Sequence, residues 1–104
     1  VKPFLDLTGA SGSVYRFRRC GDLNELPATA GNFVYLRADP AGDEIVCCGT
    51  ARSLVRASSA WKAAERRKAT DLYLRLNVSR AVREGEHEDI VAATQPPLVL
   101  TEFE

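Results

Sequence analysis

The chain has 104 residues, 45% of them hydrophobic, and balances 14 Lys and Arg against 14 Asp and Glu. That is the length of one domain with enough apolar material for a core, which excludes intrinsic disorder; folding at this size buries roughly 60–70% of the unfolded surface without help from metal or disulfides. A net charge of zero excludes a global field as the means of finding a nucleic acid or a membrane.

Charge is segregated instead. From Arg52 to Lys68 six cations (Arg52, Arg56, Lys62, Arg66, Arg67 and Lys68) face one acid, Glu65; from Glu84 to Glu104 there are six acids and no Lys or Arg. The cysteines are Cys20, Cys47 and Cys48, an odd number with two adjacent, which makes no disulfide framework. With no signal peptide and no apolar run of membrane length, a cytoplasmic protein without membrane contact is expected. The chain opens at Val1 rather than Met, as a piece of a longer protein would.

In chain order, Val1–Gly12 reads as an anchored terminal segment ending in a Gly/Ser/Ala turn. Val14–Arg19 alternates Tyr15 and Phe17 with Arg16 and Arg18, a half-buried strand whose exposed arginines suit a sheet edge or face a partner. After the loop Gly21–Gly31, Phe33–Arg37 and Glu44–Cys48 are apolar on both faces. They flank a turn containing Pro40 and Gly42, and so predict a hairpin in mid-sheet with both faces covered. Gly49 is expected to end the second strand, and Thr50 or Ser53 to cap the helical segment after it. Leu54, Ala57, Trp61 and Ala64 form a helical stripe that Ser58-Ser59 divides in two.

Leu72–Val78 alternates cleanly, which sends Leu72, Leu74, Leu76 and Val78 to the core and Tyr73, Arg75 and Asn77 away from it. Ser79 caps a last helix over 80–94, with Ala81, Val82, Ile90, Val91 and Ala93 as its buried positions and Gly85 marking a bend. Pro96-Pro97 stops that helix, and Leu98–Thr101 runs on along the surface or as a short strand. The sum is a small α+β domain: a mostly antiparallel sheet of three to four strands flanked by helices. Residues 1–25 form an extension with an added strand, and residues 26–98 form the core.

Gly31-Asn32-Phe33 precedes the turn, and Cys47-Cys48-Gly49 comes after it, leading through Thr50–Leu54 into the helical stripe. Later come Arg83, then Glu88-Asp89-Ile90-Val91, then Gln95-Pro96-Pro97-Leu98. In this order and spacing, from about Leu26 to Leu98, the chain resembles the GIY-YIG nuclease superfamily. The resemblance implies a fold of hairpin, helix, strand and helix. It also implies phosphodiester cleavage by a metal held on a Glu, with Tyr hydroxyls acting on the attacking water and an Arg stabilising phosphate charge. Here the two Tyr positions fall on Phe33 and Cys47, the Arg position on Ala57, the Glu position on His87 and the terminal Asn position on Val99. All five lack the working group, so the resemblance implies a module that has lost its catalysis and acts by binding.

Other residues read plainly. His87, with Glu86, Glu88 and Asp89 beside it, sits on consecutive helix positions that do not converge on one ion, and is read as an incidental residue of a solvated helix. Cys47 and Cys48 point to opposite strand faces as small buried residues, and Cys47 becomes a reactive thiol if Arg75 or another cation lies close. Trp61 is read as a core anchor. No P-loop, dinucleotide fingerprint or Ser/His/Asp arrangement is present, and no cofactor or metal is expected. The candidate phosphate-binding surface is Arg16, Arg18, Arg52, Arg56, Lys62, Arg66, Arg67 and Lys68. The expected function is nucleic-acid (DNA) binding. The alternatives are a protein-binding, regulatory domain, and a divergent metal-dependent endonuclease working with Tyr35, Arg56 and Glu88.

Overall fold

Alternating and β-branched segments give six strands rather than three or four. A computed structural model describes residues 2–102. The strands are β1 (Phe4–Thr8), β2 (Val14–Cys20), β3 (Gly31–Arg37), β4 (Glu44–Ala51), β5 (Asp71–Leu76) and β6 (Leu98–Leu100). They form one sheet in the order β1-β2-β5-β3-β4-β6, antiparallel throughout except for the β4–β6 pair. A 3-10 helix (Leu54–Ala60) runs into α1 (Trp61–Arg66), and α2 (Arg80–Thr94) follows β5. The α+β class and the mostly antiparallel sheet match expectation; the strand count and the mixed β4–β6 edge do not.

The two extra strands come from the chain's ends. In β1, Leu5 and Leu7 turn inward while Phe4 and Asp6 stay exposed, so the supposed terminal anchor is itself a half-buried strand. It pairs with β2 from Phe4↔Arg18 to Thr8↔Val14. β2 is therefore not an edge, as its arginines suggested, but lies between β1 and β5.

Period-2 alternation divides the side chains between two cores. Phe33, Tyr35, Cys47 and Leu72 pack under the 3-10 helix and α1 with Leu54, Ala57, Ala60 and Ala64; Trp61 lies against this cluster, its ring 5.8 Å from that of Tyr35. Val34, Leu36, Cys48 and Tyr73 pack on the opposite face with Leu7, Phe17 and Ile90 of α2. Gly49 does not end β4, which continues to Ala51. Glycine is needed there because a Cβ would run into the Phe33 ring across the ladder.

Two faces depart from the simple alternation and stripe patterns. Tyr73 is buried in the second core, its hydroxyl donating to the Lys2 carbonyl at 2.6 Å, while Leu76 is 62% exposed and Val78 lies beyond the strand. The cause is coverage: the 3-10 helix packs chiefly on β3 and β4, and the far end of β5 is left open. On α2, Ser79 caps the helix as expected, its Oγ accepting from Val82 N at 3.5 Å, but the inward residues are Arg83, His87 and Ile90, while Ala81, Val82 and Ala93 are exposed. The helix runs unbroken through Gly85. The sheet beneath its first half carries Asn32 and Thr50, so that half turns polar residues inward. Among the described residues no helix is long and apolar enough to cross a membrane.

Candidate functional site

The positions that the resemblance marks as catalytic do not form a cleft. Phe33, Cys47 and Ala57 are fully buried in the apolar core under the 3-10 helix. Desolvation pushes the Cys47 thiol up to about 12, no cation among the described residues pulls it down, and Arg75 stands on the opposite sheet face, beside Asn32 in register, so the condition for a reactive thiolate fails. His87 lies on α2, across the sheet from those three, and is 4% exposed rather than solvated. Burial holds its pKa below the ordinary 6.5, against the pull of Glu88, Glu102 and Glu84, and its Nε2 lies 3.0 Å from Thr101 Oγ1. Val99, on edge strand β6, is 43% exposed.

The groups named for a divergent nuclease are equally dispersed. The Tyr35 hydroxyl is buried, donates to the Ala57 carbonyl at 2.7 Å, and has its pKa raised by desolvation. Arg56 is exposed on the 3-10 helix, and Glu88 is exposed on α2, on the other side of the sheet. Glu86 is engaged by Arg75 at 2.7 Å and by Asn77 at 2.9 Å, while Asp89 accepts from Tyr15 and Ser11, which lowers its pKa. Among the described residues no three His, Cys, Asp or Glu side chains are grouped so as to hold a metal ion.

The predicted cations fare differently. Arg16 is tied to Asp6 at 2.8 Å and Arg52 to Glu102 at 3.6 Å. The other six, Arg18, Arg56, Lys62, Arg66, Arg67 and Lys68, are all exposed and have no ion-pair partner among the described residues. The remaining described cations, Lys2, Arg19, Arg37, Arg75, Arg80 and Arg83, each meet a carboxylate. The unpaired set shares one side of the sheet. Five sit on or just after the 3-10 helix and α1, and Arg18 stands opposite Leu74, which packs toward that same core. Arg18 also lines a cleft of about 400 Å³ over the uncovered end of β5, walled by Cys20, Asp22, Glu25, Leu74 and Leu76.

A second polar assembly was missed from the sequence. Under α2, Asn77 Nδ2 donates to both Glu86 and Asn32, and Asn32 Nδ2 donates to the Arg83 carbonyl at 3.0 Å. Arg83, 3% exposed, donates through Nε and Nη2 to both oxygens of Glu102 and through Nη1 to the Val78 carbonyl. The only sequence signal is the polar inward stripe Arg83, Glu86, His87 at helical spacing, which an apolar-stripe search passes over.

Comparison of the chain with protein-family profiles, curated proteins and solved structures finds no match.

Proposed function

We propose that this chain is a non-catalytic, GIY-YIG-like binding module that holds a polyanion, nucleic acid foremost, on the face carried by the 3-10 helix and α1. The carrying observation is the unpaired cation set. In a chain of zero net charge, six of the eight residues named for phosphate contact have no acidic partner among the described residues, and all six lie on one side of the sheet. Unpaired exposed cations can neutralise phosphates and so release the counterions condensed on a nucleic acid, which is the source of salt-dependent affinity.

The order β3, β4, 3-10 helix and α1, β5, α2 parallels the order that the resemblance implies. Loss of catalysis is supported by burial of Phe33, Cys47 and Ala57 and by the separation of Tyr35, Arg56 and Glu88. The three free cysteines suit a reducing cytoplasm. A protein-binding role draws on one observation: Phe4, Val14 and Leu76 expose apolar surface on the uncovered end of the sheet.

The test is fluorescence anisotropy with labelled single- and double-stranded DNA and RNA across a salt titration, with Mg²⁺ and Mn²⁺ present. Binding should weaken with salt, and joint replacement of Arg56, Lys62 and Arg66 by Ala should reduce the logarithmic salt slope by roughly 2–3. The oligonucleotides should emerge uncut. No binding at low salt overturns the nucleic-acid reading, and cleavage overturns the non-catalytic one.

A further inference from the structure

The outer edge of β4 is covered by a short strap. β6 adds in parallel at Cys47↔Leu98, Cys48↔Val99 and Gly49↔Leu100. Leu98 and Leu100 point into the core under the 3-10 helix, and Val99 points out. Thr101 then meets His87, Glu102 N donates to Thr50 Oγ1 at 2.6 Å, and the Glu102 carboxylate enters a cationic pocket. There Arg83 Nε lies 3.0 Å from Oε1 and Nη2 3.4 Å from Oε2, with Arg52 Nε 3.6 Å from Oε2.

Most of this receptor is built by residues outside the strap. The Arg83 guanidinium is fixed by the Val78 and Asn77 carbonyls, and Thr50, Arg52 and His87 sit on β4, the turn after it, and α2. The strap's ladder is short: three residues at a sheet edge, joined to α2 through Gln95, Pro96 and Pro97. Gln95 and Glu102, both non-glycine, lie in the left-handed region with φ of 45° and 50°, a conformation that disfavours any residue with a Cβ.

We propose that the β4 edge, the two leucine sockets and the Arg83–Arg52 pocket form a binding groove for an extended peptide of pattern Leu-x-Leu-x-Glu supplied by another protein, with residues 98–102 as its internal ligand. The peptide adds a strand to β4, its alternate side chains fill the sockets, and its carboxylate selects it through the charge-assisted bonds Glu102 makes. The groove is distinct from the exposed cations proposed to hold nucleic acid.

The test uses the full chain and an N-terminally fluorescein-labelled heptapeptide of sequence PPLVLTE. Glu102→Lys loosens the strap and frees the pocket, so anisotropy should show this variant binding the peptide at least about tenfold more tightly than wild type. A PPLVLTK peptide should lose about tenfold, and adding Arg52→Ala, an exposed position, should weaken binding by about two- to fivefold. A folded Glu102→Lys chain that binds no tighter than wild type, or that binds the Glu and Lys peptides equally, overturns the proposal. A concentration-dependent dimer without peptide binding also overturns it, in favour of strap exchange between copies. Should Glu102→Lys not fold, amide shifts in wild type on titrating the peptide to millimolar concentration decide: shifts confined to Cys47–Arg52 and α2 support the groove, and their absence rules it out.

Discussion

The two faces of the sheet cover the same central strands with opposite chemistry. Under the 3-10 helix and α1 the contact is made by Phe33, Tyr35 and Leu54 with the small residues Cys47, Ala57, Ala60 and Ala64, and the cations are left outside and unpaired. Under α2, Arg75 with Glu86, Arg83 with Glu102, and Asn32 with Asn77 are matched partner to partner beside an apolar patch around Ile90. The difference separates charges that hold the fold from charges available to a ligand. A buried, paired charge cannot be removed without stranding its partner, whereas a solvated, unpaired one can be removed at almost no cost to the fold.

The comparison breaks first at Arg83. Arg83→Ala leaves Glu102 to Arg52 alone and removes the donor to the Asn77 and Val78 carbonyls, and should cost about 2–3 kcal/mol in urea unfolding; a loss below about 1 kcal/mol would mean the α2 face is not held by its charges. On the other face, Tyr35→Phe removes a single buried bond to the Ala57 carbonyl and should cost about 1 kcal/mol by the same measurement.

His87 sharpens the contrast through pH. Burial depresses its folded pKa below 6.5, so the neutral form is favoured on folding. Its contribution to stability is complete above about pH 6.5 and is lost as the pH falls below that value toward the folded pKa. The urea midpoint of wild type should therefore fall between about pH 7.5 and 5.5, above the ordinary range of the carboxylates, and that of His87→Gln should fall less; parallel profiles would remove His87 as the cause. Smallest of all, replacing Lys62, Arg66 and Arg67 singly by Ala should shift stability by no more than about 0.5 kcal/mol each, read from the same unfolding curves.

Much of the fold was legible because it rests on local pattern. The β3–β4 hairpin, the division of the helical stripe, the Ser79 cap and the stop at Pro96-Pro97 are set by residues within a few positions of each other. Misreadings came where distant coverage decides. Leu76 and Leu72 have the same alternation, yet Leu72 joins the core under the 3-10 helix and α1 while Leu76 is 62% exposed. His87 looked solvated because its neighbours are acidic, yet its ring falls on the inward side of a helix that turns polar groups to a polar patch of sheet. The cations were legible as a cluster, but their lack of partners was not, since Arg16 and Arg52 look no different in sequence from Arg18 and Arg56.

The turn between β1 and β2 is clasped by the far end of the chain. Ser11 donates to Asp89 through both its backbone N and its hydroxyl across 78 positions, Tyr15 donates at 2.6 Å to the same carboxylate, and Gly9 lies so close that a Cβ there would meet it. β2, meanwhile, waits for β5, with Cys20 opposite Leu72. During synthesis the β1–β2 hairpin is therefore complete long before β5 exists for it to dock on. The closure of a long loop precedes the reward from β2–β5 pairing, which places this domain among slower, non-local folders and leaves the β1–β2 hairpin the segment most in need of shelter during synthesis.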